Sequence, residues 1–375
     1  MVGADAAALA ALSDEPMDAG TPLVMAGGVG CRWMLRQFVV KTLPSNGFPD
    51  GHRACVGPSD HRRDAGTVRE MTDPLAGIQQ AQLIARITQR VLRGVQLGEW
   101  GLTSHPVDDG SSLALDDQDF MPDLGPRLVS STARFPAMNA SENIVAAGQV
   151  FSTALTQERK LRTASVATLC RSAVEASAKT IWLLGDTSRG VRRARCLGSI
   201  EGEREYQSDD IDIEEATFAI RTDEARHAEY QRFQQRRQKF NERLEAITSL
   251  PESARERPPG FTGYVNHAAE WIDANPPADP FGELSSLGMS LLTRSFYSVG
   301  SSFVHGLRWV REYMQKETDL LRLTVTGFAT AVIMTECAVA LLEAQSINAA
   351  RTGTRAQNYP AGIASTVASW SARYQ

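Results

Sequence analysis

Residues 325–342 read V-T-G-F-A-T-A-V-I-M-T-E-C-A-V-A-L-L, a run that as a helix is apolar round most of its circumference. Such a helix needs cover on every side, from lipid or from other helices. Its length approaches a membrane span, but Glu336 sits inside it and several threonines dilute it. The expectation is a buried core helix, about Thr318 to Ala344.

The remaining periodicity gives further helices. Leu75, Ile78, Gln82, Ala85 and Thr88 to Val95 recur at helical spacing after the candidate caps Thr72 and Asp73, and the pattern stops near Gly98 and Gly101. Residues 103–138, rich in Asp, Ser, Gly and Pro, read as a long loop. A helix starting near Ser141 runs or bends into another, about Gln157 to Leu184. That second helix carries two packing stripes, one through Val166, Leu169, Ala173, Ala176, Thr180 and Leu183, the other through Arg171, Glu175, Ala178 and Trp182, so it is central. A basic segment from Ser188 leads into an acidic one ending at Glu215, and Thr217–Thr248 forms a long charged helix. Its stripe of Tyr230, Phe233, Arg237, Phe240, Leu244 and Ile247 suits an antiparallel hairpin partner, a coiled-coil dimer seam being short there. Pro258-Pro259 and Pro276-Pro277 then break the pattern, with a short helix about Trp271 and Ile272. A further helix, about Leu284 to Tyr313, buries Phe296, Val299, Phe303, Leu307 and Val310 and bends at Gly300 or Gly306. The sum is an all-α bundle of six to eight helices over 74–350, after a mostly disordered extension, 1–73, and before a loose tail, 351–375.

Composition removes several function classes. The net charge of -5 gives no global attraction to nucleic acid, though a local basic patch stays open. The five cysteines have no framework spacing, and two acids precede any apolar run at the N-terminus, so a reduced, cytoplasmic chain without a secretory leader is expected. Walker A, dinucleotide, H-E-x-x-H and G-x-S-x-G motifs do not occur, and no cofactor is expected. Cys31, His52, Cys55 and His61 carry metal-ligating atoms at spacings that match no usual zinc pattern, and no metal is expected.

The polar residues that stand out lie on two helices. Tyr297, Ser301 and His305 follow one another at helical spacing, and an imidazole beside hydroxyls has the chemistry of a general base or acid. Arg171 and Glu175, one turn apart, can pair locally or turn the planar guanidinium toward a phosphate or carboxylate. The cluster Arg189, Arg192, Arg193 and Arg195 could bind phosphate, but the acids from Glu201 onward favour intramolecular pairing.

The segments 171–184 (R-S-A-V-E-A-S-A-K-T-I-W-L-L), 191–195 (V-R-R-A-R) and 297–306 (Y-S-V-G-S-S-F-V-H-G) together resemble an uncharacterised all-helical family common in actinobacteria, over about residues 75–345. More distantly, they look like the helical HEPN-type ribonucleases and abortive-infection proteins of prokaryotic phage defence. Those enzymes carry Arg, a polar residue and His within one short helical motif; here Arg294 precedes His305 and Arg308 follows it. The expected function is a helical scaffold or interaction protein with a polar inter-helix pocket. The alternative, implied by the distant resemblance, is a ribonuclease with His305 as general base and Arg171 holding phosphate. RNA, a protein partner and a second copy of the chain stay open as partners; a membrane is not expected.

Overall fold

A computed structural model describes residues 74–103, 106–158, 160–278, 282–348 and 357–374. Among them there are eleven α-helices and no strands. These are α1 (Pro74–Gly101), α2 (Ser112–Asp117), α3 (Leu128–Thr153), α4 (Thr163–Leu184), α5 (Arg189–Ile220), α6 (Arg226–Thr248), α7 (Gly260–Ala274), α8 (Gly282–Val304), α9 (Val310–Tyr313), α10 (Glu317–Ser346) and α11 (Ala364–Ser371). The all-α expectation stands, while the expected six to eight helices become eleven because α2, α9 and α11 are too short to show a period. The extension 1–73, with Cys31, His52, Cys55 and His61, lies outside the described residues.

Helix α10 is the axis of the fold. Every residue from Gly327 to Ser346 is buried, under α1, α3, α4, α8 and α11. It is also the one helix among the described residues long and apolar enough to cross a membrane, with a mean hydropathy of 1.8 over its best window. Its polar residues explain why protein covers it here, since each polar group buried without a partner would cost roughly 1–3 kcal/mol. Glu336 accepts from Arg93 Nε at 2.8 Å, Glu343 from the Trp100 indole at 2.8 Å, and Thr335 meets Ser177 at 2.8 Å. The Gln345 amide donates to the Leu184 carbonyl at 2.8 Å. The partners come from α1 and α4, so the polar atoms fix which helices flank α10 and in what register.

Helix α4 packs between α3 and α10 and also meets α7 and α8, as its two stripes require. The bend before it is a single π-helical turn, Ala154–Glu158. Two expectations fail nearby. The long loop 103–138 contains α2, and α3 begins at Leu128 rather than Ser141. Side-chain caps do this work: Ser111 caps α2, and the Asp117 carboxylate accepts from the amides of Val129 at 2.8 Å and Ser130 at 3.1 Å, closing the N-terminus of α3.

Helices α5 and α6 form the charged hairpin, but the expected single helix from Thr217 to Thr248 is cut at residues 221–225. The Arg226 side chain donates to the Phe218 carbonyl at 2.8 Å, and Arg221 pairs with Asp223 and Glu229, which terminates α5 and starts α6. Phe233, Phe240 and Ile247 are buried, Phe233 against Phe218 and Phe240 under Arg204 of α5, and Arg236 and Arg237 pair with Glu214 and Glu215.

The proline-rich segment holds α7, longer than expected. The helix expected to bend at Gly300 or Gly306 instead kinks at Gly288 (φ 70°) and ends before Gly306; Asp273 of α7 accepts the amides of Met289 at 2.5 Å and Ser290 at 3.0 Å and caps the second half of α8. The expected loose tail is corrected for residues 357–374: Trp370 packs edge-on against Trp271 at 5.0 Å, and the Tyr374 hydroxyl donates to the Gly185 carbonyl at 3.1 Å. Burial of those two rings repays the ordering of a short helix.

Candidate functional site

Helix α4 presents Arg171 and Glu175 toward α8, and α8 returns Tyr297 between them. Arg171 Nε donates to Glu175 Oε1 at 2.9 Å, and the Tyr297 hydroxyl donates to the same Oε1 at 2.7 Å. The Arg171 guanidinium lies over the Tyr297 ring, 4.9 Å from its centroid, with Nη2 3.4 Å from the hydroxyl. These contacts bind the three side chains to one another and join two helices. Arg171 and Glu175 expose 15% and 20% of their side chains, which makes this a half-covered clasp at the edge of the core.

The electrostatics hold Tyr297 neutral and Arg171 charged. Burial and the bond to Glu175 both push the Tyr297 phenol above its ordinary pKa, so it remains a neutral donor. Burial alone would lower the Arg171 guanidinium, but the Tyr297 hydroxyl and the Glu175 carboxylate outweigh it and the net shift is upward. A phenol kept protonated and a guanidinium kept charged are a lock, not an acid–base pair near neutrality.

His305 stands apart from this group. Helix α8 ends at Val304, one residue earlier, and the next glycine, Gly306, takes a left-handed φ of +62°. The Leu307 amide donates to the Ser302 carbonyl at 2.8 Å and the Gly306 amide to Phe303 at 3.2 Å, the paired bonds of a Schellman stop. His305 is therefore the capping residue of α8, and its glycine is required by backbone geometry. The imidazole is exposed, and eight residues at 1.5 Å rise put it about 12 Å along the axis from Tyr297. Ser301, half-buried, lies between them and accepts the His305 amide through its carbonyl at 3.0 Å. The structure thus brings together Arg171, Glu175 and Tyr297 and leaves His305 outside the group.

The arginines read as phosphate ligands are occupied within the fold. Arg192, buried, holds Asp116 through two bonds of 2.6 and 2.8 Å, Ser112 at 2.9 Å, and the carbonyls of Asp186 and Thr187 at 2.8 and 2.9 Å. Arg193 caps α2 through the carbonyls of Asp116, Leu115 and Gln118. Arg195 bonds Glu256 at 2.9 Å and the Trp182 carbonyl at 2.8 Å. The cluster fastens α5 to α2, α4 and the segment before α7, and its partners are Asp116 and Glu256 instead of the nearby acidic run. Against family models, curated proteins and solved structures alike, the chain matches none.

Sequence reasoning missed the acids that organise the bundle: Asp116, Asp117, Asp273, Glu336 and Glu343. Glu336 is held above the usual carboxylate range by burial, against the opposing pull of Arg93. Only its placement in an otherwise apolar run signalled a role. The described residues contain no group of three or more His, Cys, Asp or Glu side chains placed to hold a metal ion.

Proposed function

We propose that this chain is a non-catalytic helical scaffold, acting through its outer surfaces in a reducing, cytoplasmic setting. The observation that carries this reading is the Arg171–Glu175–Tyr297 clasp: Glu175 Oε1 takes both the Arg171 Nε and the Tyr297 hydroxyl, and the second of these bonds joins α4 to α8. The buried free thiols Cys170, Cys196 and Cys337 fit the same setting, since burial raises each pKa and keeps them unreactive. Purified wild type, incubated with single-stranded and hairpin RNA, is expected to cleave no faster than a protein-free blank.

One observation favours a second reading, a HEPN-like ribonuclease of phage defence: His305 is solvent-open, with Arg308 three residues on and also exposed. Cleavage by wild type that His305→Ala abolishes would replace the scaffold reading with this one.

A further inference from the structure

Between α8 and α10 the chain turns apolar side chains outward. Val304, Leu307, Trp309 and Tyr313 are 44%, 49%, 39% and 72% exposed, and Trp309 is the one exposed indole among the described residues. The stop that ends α8 sets this up. After the left-handed Gly306 the chain enters one helical turn, in which the amides of Arg311 and Glu312 donate to the carbonyls of Arg308 and Trp309 at 3.0 Å each. Val310, 3% exposed, anchors that turn, and Arg308, Trp309, Arg311, Glu312 and Tyr313 around it all face solvent. The cations Arg308, Arg311 and Lys316 outnumber the single acid, Glu312, and none of the three forms an ion pair among the described residues. That local balance opposes the net charge of the whole chain, -5.

We propose that residues 304–316 dock on the surface of an anionic lipid bilayer. Charge complementarity and side-chain chemistry choose this occupant. Unpaired cations meet the phosphates of acidic lipids, while indole and phenol rings, apolar at one end and wet at the other, suit the boundary between headgroups and acyl chains. Single-stranded nucleic acid also takes cations and rings, but it stacks bases on open ring faces. Trp309 and Tyr313 meet edge-on, at 77° and 5.8 Å, so they offer no parallel slot for a base, and exposed Val304 and Leu307 would have no role on a phosphate backbone. The apolar positions 304, 307, 309 and 313 also cross a helix stop, so they make no continuous face for a partner helix. Helix α10, covered by protein, spans nothing in this arrangement, and the expectation of no membrane partner is revised only for surface contact.

This assignment rests on the scaffold reading and deepens it, naming the negatively charged cytoplasmic leaflet as what the scaffold holds to, and the two fail separately. Co-sedimentation of the full chain with vesicles of phosphatidylcholine and about one-third phosphatidylglycerol is expected to show binding that vesicles of phosphatidylcholine alone lack and that high salt removes. Arg308→Gln combined with Arg311→Gln should weaken it about 25-fold, about fivefold for each cation. The circular dichroism spectrum and urea midpoint should stay unchanged, because both side chains are exposed and unpaired among the described residues. In a Trp33→Phe background, brominated phosphatidylcholine in the acidic vesicles should quench tryptophan fluorescence, and adding Trp309→Phe should abolish the quenching. Wild type that ignores acidic vesicles, binds neutral ones equally well, or is quenched as strongly with Trp309→Phe would each overturn the proposal. So would single-stranded RNA binding that depends on Arg308 and Arg311 in place of vesicle binding, which would give the surface to nucleic acid. Failure to bind vesicles would remove the membrane contact alone, since the absence of catalysis is decided by the RNA cleavage assay.

Discussion

Removing either partner of the Arg192–Asp116 pair is the sharpest test of whether the basic segment is structural. Asp116 is wholly buried and the Arg192 side chain is 3% exposed. Asp116→Ala would leave that guanidinium with three of its five bonds, to Ser112, Asp186 and Thr187, and no counter-charge. A buried charge stripped of its partner costs about 3–5 kcal/mol. Arg192→Ala belongs at the lower end, since Arg189, 3.4 Å from Asp116 Oδ1, can turn in to replace it. The double variant should cost little more than the worse single one, a coupling of about 2–3 kcal/mol. Urea unfolding at neutral pH, read by circular dichroism, gives all four corners of the cycle. Single losses below about 0.5 kcal/mol, or losses that simply add, would refute the reasoning. Arginines kept for phosphate would behave oppositely, losing binding of inorganic phosphate with the urea midpoint unmoved.

Two further outcomes follow from the packing. Gly198→Ala places a Cβ 1.9 Å from the Glu256 carbonyl oxygen, in a segment pinned by the Glu256 amide to Ala194 at 3.0 Å, so a loss of roughly 3 kcal/mol or more is expected in the same urea assay. Burial pushes the phenols of Tyr264 and Tyr374 up to about 12 from an unfolded value of 10.0. Their folded pKa is the higher, so the stability they confer is whole below pH 10 and is lost as pH rises through about 12; urea midpoints should fall above pH 10, less steeply in Tyr264→Phe.

The parts of the site legible in the sequence were those set by spacing within one helix. Arg171 and Glu175 at i, i+4 had to share a face, and the doubly striped α4 had to be central, so a facing helix with Tyr297 completed the group. His305 misled because spacing alone extends a helix past its end; the left-handed Gly306 stops it, and the histidine turns from a third member of a row into a cap. Charge runs misled in another way. The basic cluster lay beside an acidic run, yet tertiary packing delivered Asp116 and Glu256, which no local pattern singles out. The C-terminal helix was hidden because its eight residues span barely two turns, although Ile363, Val367, Trp370 and Tyr374 mark its buried side.

The central claim, that the Arg171–Glu175–Tyr297 cluster is a structural clasp, is tested most directly by the urea stability of Tyr297→Phe. That substitution keeps the ring under the guanidinium and removes one charge-assisted hydrogen bond to Glu175, so a loss of about 1.5–3 kcal/mol is expected. Residues held for catalysis tend to stabilise a protein when replaced. A Tyr297→Phe variant as stable as wild type, or more so, would contradict the account.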